Sequence, residues 1–519
     1  MQTIKKISKS WEVLSITGII LLGAFLRLYK IKDYIVFLGD EGRDALVVYN
    51  ILHGNLTLLG PTSSVGGFFL GPIYYYFMAP FLFLSRYDPV GPAVMVVLFG
   101  LLTIYLIYRI GKEFFSTNAG LISALLYAVS PIVIIYSRSS WNPNVFPFFT
   151  LSSLLVLYKA VSKNKWWLFV LSGILMGVNL QIHYLATFVG AIMFFYILLV
   201  DFRPRVSWII ESLKRYFLMF AGFLIGFSPF LLFELRHQFA NTMHIIDFIF
   251  NSPETGAGMQ IENIKFVIER LFGGLVISFP LFANFKNFDL NIINIWLFAV
   301  FIIASISIGF FVWMFLKSMG NKNNYQKYLL LLIWLVVGVG LFAFYKKSIY
   351  DYYLGFLYPL PFLLVGLVLG SVWEQLKNIG KVVVVIVLTV LVLISLNFTQ
   401  IRVPGNQQVN QMKSISDFVL SKTNNEPFNF AIITAGNSDH AYRYFFRLEN
   451  RDPVIIQYPG IDPDRKTVTN QLFVVCESVP CSPPGTSQWE IAGFGQAEVV
   501  AHWKVNVVEV YKLVHYQGK

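Results

Sequence analysis

Two adjacent acids, Asp40 and Glu41, stand shortly after the first long apolar run, in the stretch IVFLGDEGRDALVVYNILHGN, with Arg43 and Asp44 directly behind them. A carboxylate held near a membrane surface and partly desolvated is suited to act as a general base or a metal ligand. From Asp44 on, Ala45, Leu46, Val48, Tyr49 and Leu52 recur on one side, which predicts a short helix lying along the interface. Asp40 then either serves chemistry or merely caps that helix from solvent.

Four other polar clusters carry residues of the right types. In YSRSSWNPN, beside Trp141 and Asn142, Arg138 could fork onto a phosphate oxygen or answer lipid headgroups. Gln181, Ile182, His183 and Tyr184 form a tight turn whose lone histidine is either a catalyst or a satisfied interfacial residue. FELRHQFANT packs Glu234, Arg236, His237 and Asn241 into eight residues, and a glutamate at a membrane edge is costly unless it has a task. FYKKSIYDYY supplies Lys346, Lys347, Tyr350, Asp351, Tyr352 and Tyr353, where the cationic pair suits a lipid phosphate or simply belongs to the outer interface.

The elements that must position these groups are membrane helices. Of the 519 residues, 56% are hydrophobic and only 13% charged, against about a quarter charged in soluble domains. Apolar stretches fall at 13–28, 68–84, 90–108, 119–136, 144–161, 166–181, 184–201, 215–234, 291–316, 328–345, 350–371 and 381–398. Several are long enough for a bilayer core of ~30 Å. The net charge of +12 sits mostly in short loops between these stretches, a topology signal that gives no reason to invoke nucleic acid.

Lys5, Lys6 and Lys9 place the N-terminus in the cytoplasm. If all the stretches cross, the basic loops that follow residue 84 lie outside, against that rule. If 68–84 (FFLGPIYYYFMAPFLFL) enters the outer interface without crossing, they become cytoplasmic. Its Gly71, Pro72 and Pro80 and its tyrosines, Tyr74 first among them, suit that role. The expectation is therefore a mainly α, polytopic bundle of about eleven spans with interfacial helices in the first outside loop. Gly173 and Gly177 give a GxxxG spacing that favours close helix packing.

After residue 398 the composition shifts. Strand-like runs at 430–435, 472–477 and 505–514 and a helix around Ser438–Arg447 predict a small extracytoplasmic α/β domain. The expected division is a membrane domain over 1–398 and a soluble domain over 399–519, with Cys476 and Cys481 either bonded or free. Phosphate-binding loops, dinucleotide fingerprints, nucleophile elbows and zincin motifs are all missing from the sequence.

In this order and sidedness, the Asp40–Glu41 pair, the LGPIYYYF segment at 70–77, the YSRSSWNPN loop and the FELRH stretch resemble C-type (GT-C) membrane glycosyltransferases. The similarity is to the bacterial and archaeal group related to protein O-mannosyltransferases and to the aminoarabinose transferase of lipid A, over roughly residues 10–400. The resemblance implies a plasma-membrane transferase that moves a sugar from a polyprenyl-phosphate carrier to an extracytoplasmic acceptor: a protein hydroxyl, a lipid or a cell-envelope glycan. It assigns Asp40 as base and Glu41 as its orienting or metal-binding neighbour, so that a divalent ion, if used, falls to one of these two. It places Arg138, Lys346 and Lys347 on the donor phosphate. Arg43, Tyr74, Asn142, His183, Glu234, Arg236, His237, Tyr352 and Tyr353 would line the cavity. One departure is Asn142, where the lipid A type has an aspartate. The rival readings are a lipid-linked oligosaccharide flippase or transporter, which wants ionisable groups at mid-depth, an O-antigen polymerase or ligase, and a membrane-anchored binding protein.

Overall fold

The computed structural model describes residues 2–63, 66–203, 205–251, 258–278, 289–478 and 480–518. In chain order its helices are α1 (Gln2–Leu28), α2 (Ile31–Tyr34), α3 (Gly39–Leu52), α4 (Ile73–Leu84), α5 (Val90–Phe114), α6 (Thr117–Val129), α7 (Pro131–Tyr136), α8 (Phe146–Lys163), α9 (Trp166–Ile182) and α10 (Ala186–Val200). There follow α11 (Val206–Gly226), α12 (Ser228–Arg236), α13 (Ala240–Asn251), α14 (Ile261–Ile268), a π-helical segment Glu269–Ile277, α15 (Leu290–Ser318), α16 (Lys322–Gly340), α17 (Pro359–Gln375) and α18 (Lys377–Asn397). The tail adds α19 (Gln408–Lys422), α20 (His440–Leu448) and α21 (Trp489–Ala492), with strands β1 (Asn429–Ile433), β2 (Gln471–Cys476), β3 (Ala497–Val505) and β4 (Val508–His515). Part of the expected outer region 235–290 lies outside the described residues.

Two compact units emerge. The first comprises 1–29, 57–77 and 93–404; the second comprises 30–56, 78–92 and 405–519. The tail from residue 405 on belongs to the second unit together with the acid-bearing first part of the first loop.

In the first unit, six helices among the described residues are long and apolar enough to cross a membrane, or eight if each of two bent pairs is one span. At 12 residues α4 is ~18 Å long, too short for a straight crossing of a ~30 Å core. Expected single spans at 119–136, 215–234 and 350–371 are each broken. Pro131 opens α7, Pro229 lies in the first turn of α12, and Pro359 opens α17; proline cannot donate to the preceding turn. The bends reach 71° between α11 and α12 and 52° before α17.

The GxxxG spacing on α9 finds a counterpart. Gly173 and Gly177 face α11, where Gly222 and Gly226 repeat the spacing, and a methyl group on any of the four would overlap backbone of the facing helix. Missing side chains let the two backbones touch and dispersion contacts replace the lipid.

The second unit holds a four-stranded sheet of order β1-β2-β4-β3, with β1 and β2 parallel and the other pairings antiparallel. Central β2 is buried throughout, as its unbroken LFVVC run requires, and Leu472, Val474, Cys476, Phe494 and Leu513 share its core. The run expected as one strand at 505–514 is the second half of a hairpin: β3 ends at Val505, and Asn506 turns the chain at φ 51°. Cys476 and Cys481 form a disulfide.

Candidate functional site

The acid pair sits in the first turn of α3, which starts at Gly39, five residues ahead of the helix expected from Asp44. Leu38 is the residue at the helix boundary, so Asp40 is not the cap. Glu41 does that work: its Oε2 accepts the Leu38 N–H at 3.0 Å, the return half of a capping box. The two acids therefore part company. Asp40 is more than half exposed, while Glu41 is buried. Burial pushes the Glu41 carboxyl up to about 7, and the charges of Asp40 and Asp44 add to the rise against the opposing backbone N–H.

Arg43 ties this turn together. Its Nη1 donates to Asp40 Oδ1 at 2.9 Å, while Nη2 and Nε donate to Oδ1 of the fully buried Asp44 at 2.8 and 3.0 Å. An exposed carboxylate, oriented by a guanidinium that is itself locked to a buried acid, can take a proton from an approaching hydroxyl. Among the described residues no three His, Cys, Asp or Glu side chains gather as a metal-ion site, and Glu41 is turned to its backbone donor. The described residues around the acid pair do not make up a metal site.

The first unit holds the other candidates. Arg138 is fully buried and donates from Nη2 to the Tyr29 carbonyl at 2.7 Å, just beyond α1. It is not out among lipid headgroups. Arg27, not singled out from the sequence, is equally buried and donates to Ser137 Oγ at 2.7 Å and to the carbonyls of Ala128 and Gly23 at 2.9 and 3.1 Å. Two arginines thus stitch the end of α1 to the 128–138 segment. Tyr74 is buried with its hydroxyl 2.9 Å from Ser140 Oγ.

Asn142 donates to the Ile182 carbonyl at 2.7 Å, next to His183. His183 stacks on Phe146 and Tyr184 and meets the edges of Tyr352 and Tyr353, and Trp141 lies 4.5 Å from Tyr352 between ring centres. Burial drives the His183 imidazole down to about 3. Because Leu185 N–H donates to Nδ1 at 3.1 Å, the proton of the neutral ring is on Nε2. His183 is thus an oriented neutral donor and no counter-charge. Asn142, His183, Tyr352 and Tyr353 come together; Lys346 is exposed and Lys347 half-buried in the loop just ahead of them.

Glu234 is buried at the end of α12, and its Oε2 accepts the Thr242 N–H at 2.7 Å in the first turn of α13. Arg236 and His237 are exposed; His237 stacks on Phe233 and its Nδ1 donates to that residue's carbonyl at 2.9 Å. Beside this corner lies a cavity of about 330 Å³, lined largely by apolar groups that include Phe68, Leu70, Tyr184, Phe227, Phe230 and Phe248.

Two further residues of chemical interest were not singled out from the sequence. Arg270, in the π-helical segment, forms a two-point ion pair with Asp351, Nε–Oδ1 at 2.9 Å and Nη2–Oδ2 at 3.3 Å. π-Helical turns recur at functional sites, but 81 residues of sequence separate the partners. His440, at the start of α20, is pushed below its ordinary value by burial, with Arg43 and Asp40 among the charges it feels.

Comparison with known proteins agrees with this architecture. A family model for dolichyl-phosphate-mannose-protein mannosyltransferase matches residues 70–233. The structure of ArnT from Cupriavidus metallidurans bound to undecaprenyl phosphate superposes with a TM-score of 0.64, covering 97% of this chain and 98% of that one at 13% identity. The archaeal oligosaccharyltransferase AglB from Archaeoglobus fulgidus, in complex with an inhibitory peptide and a dolichol-phosphate, covers 90% of this chain and 69% of its own, with a TM-score of 0.53 and 14% identity. No curated protein sequence matches the chain. The likeness to ArnT is thus one of whole fold: the chain is a multi-pass membrane protein with that architecture, and over residues 70–233 it is similar to dolichyl-phosphate-mannose-protein mannosyltransferases.

Proposed function

We propose that the chain is a glycosyltransferase that takes a sugar from a polyprenyl-phosphate carrier and transfers it to a hydroxyl of an extracytoplasmic acceptor. In this reading about eleven spans cross the cytoplasmic membrane, with the N-terminus inside and the C-terminus outside. The observation that carries it is Asp40: an exposed carboxylate oriented by Arg43 in the first turn of α3, in a chain with this fold.

The chemistry is a single displacement. Asp40 accepts the acceptor's O–H proton while the acceptor oxygen bonds to the anomeric carbon. The bond from that carbon to phosphate oxygen breaks, and its electron pair leaves with the polyprenyl phosphate. Attack opposite the leaving group inverts the anomeric carbon. Lys346 and Lys347 balance the charge that grows on the phosphate. Arg138, with one nitrogen committed to the Tyr29 carbonyl, contributes a fixed positive charge. His183, neutral and oriented, suits a sugar hydroxyl, and the apolar cavity beside α12 and α13 suits an isoprenoid segment of the carrier.

The test is transfer by purified protein from polyprenyl-phosphate sugars, compared with nucleotide sugars and with translocation of a labelled lipid-linked sugar across vesicles. Transfer or slow donor hydrolysis from the polyprenyl series alone is expected. Translocation without bond cleavage would support a flippase instead.

A further inference from the structure

The tail is more than an appendage in its own unit, because α20 lies against α3. Gly39 and Gly42, which bracket the acid pair, have no room for a side chain: a methyl on Gly39 would overlap Ser438, and one on Gly42 would overlap the backbone of Ala441. At the far end Arg447 Nη1 donates to Asn50 Oδ1 at 3.0 Å. Phe37, just ahead of α3, meets the edges of Tyr444 and Phe445.

The tightest link is Asn437. Its Oδ1 accepts the Gly39 N–H at 2.8 Å and the Ser438 N–H at 2.9 Å. The Gly39 N–H is one of the helix-end donors that have no partner within their own helix. On the other side, Asn437 Nδ2 donates to both oxygens of Glu477, at 3.0 and 3.1 Å. Glu477 is held in turn: Tyr442 donates its hydroxyl to Oε1 at 2.8 Å, and the Glu477 N–H donates to the Ile433 carbonyl at 2.9 Å. A continuous path of hydrogen bonds therefore runs from the ends of β1 and β2 through Glu477 and Asn437 to the turn that carries Asp40. Glu41 holds that same turn from within by accepting the Leu38 N–H.

We infer that Asn437, clamped by Glu477, is a positioning residue that fixes the first turn of α3 and so the direction of the Asp40 carboxylate. The inference rests on the reading of Asp40 as the base. A carboxylate whose helix turn can rock meets the acceptor hydroxyl in fewer productive geometries, so the loss falls on kcat. The donor's phosphate contacts, carried by other residues, leave its KM in place.

The polarity of the link supplies a specific test. In Asn437→Asp, the Nδ2 donor becomes a second carboxylate facing Glu477, and the clamp is broken by repulsion. Adding Glu477→Gln reverses the polarity: the Gln amide donates to the new carboxylate, which still accepts from Gly39. Two readouts are taken on the full-length protein, amide hydrogen exchange of the 37–45 segment and transfer kinetics.

Asn437→Asp is expected to speed exchange of this segment and lower kcat about 10- to 100-fold with donor KM nearly unchanged. The double variant is expected to restore both. Glu477→Gln alone should stay near wild type, since the Gln oxygen still accepts from Asn437. Unchanged exchange in Asn437→Asp, no recovery in the double variant, or equal losses in kcat and donor affinity would overturn the inference. The exchange readout does not depend on turnover. If wild type transfers no sugar while exchange follows the clamp, the function proposed above fails and the clamp stands.

Discussion

Replacing Glu41 by glutamine should stabilise the protein at alkaline pH and leave its stability almost unchanged in acid. The folded chain raises the Glu41 carboxyl from 4.5 to about 7, chiefly through burial. Below pH 4.5 both folded and unfolded chains hold the proton, and the shift contributes nothing. Between 4.5 and 7 the unfolded chain releases the proton while the folded chain keeps it, so stability declines as pH rises. Above 7 the folded chain bears a buried charge. With 1.36 kcal/mol per unit, the difference between the two limits is about 3 kcal/mol. Glutamine carries no such penalty and can still accept the Leu38 N–H, as Gln does in capping boxes. Thermal unfolding of both proteins in lipid nanodiscs from pH 4.5 to 8.5 measures the difference. At about 2–4 °C per kcal/mol for a unit of 150–250 residues, Glu41→Gln should gain about 6–12 °C over wild type at pH 8. A gap in melting temperature that does not widen between pH 5 and pH 8 would refute the reasoning.

The helix packing gives a second prediction: Gly177→Leu forces α9 from α11 and should cost about 1–3 kcal/mol, visible as a lower melting temperature, while Gly309→Ala, with nothing within 4 Å, should not. Arg27→Met removes donors from two carbonyls and Ser137; at about 1.5–3 kcal/mol per hydrogen bond to a charged group it should melt well below wild type. Arg27→Lys should rescue little, because an ammonium cannot copy the guanidinium's fixed fork. Lys346→Ala with Lys347→Ala should raise donor KM severalfold, the effect fading in high salt because Lys346 is exposed; a KM unmoved at low salt would remove the pair from phosphate binding.

What could be read from the residues followed how local the cause was. Apolar runs, the GxxxG spacing and the β-rich tail are properties of short windows, and the bundle and the sheet carry them. The start of α3 was missed because Gly39, Asp40 and Gly42 read as loop. The helix is held there by Glu41 and by Asn437, which stands 398 residues away. The breaks in α11–α12 and before α17 were signalled by Pro229 and Pro359 but outweighed by the hydropathy of the runs. Arg27 stands at the end of the first apolar stretch, 13–28. Its burial depends on Ser137 and Ala128, more than 100 residues on, and no pattern within a span could show it. His183 was readable as a turn residue, but its protonation state comes from burial in a ring cluster assembled from three segments, at 146, 183–184 and 352–353.

The central claim, that Asp40 takes the acceptor proton in a polyprenyl-phosphate-dependent transfer, is tested most directly by sugar release from a radiolabelled donor panel with wild type and Asp40→Asn side by side. The account predicts turnover or slow hydrolysis in wild type and its loss in Asp40→Asn, with donor binding retained. Equal turnover in the two proteins would contradict it and move the search for the base to Glu41 and Glu234.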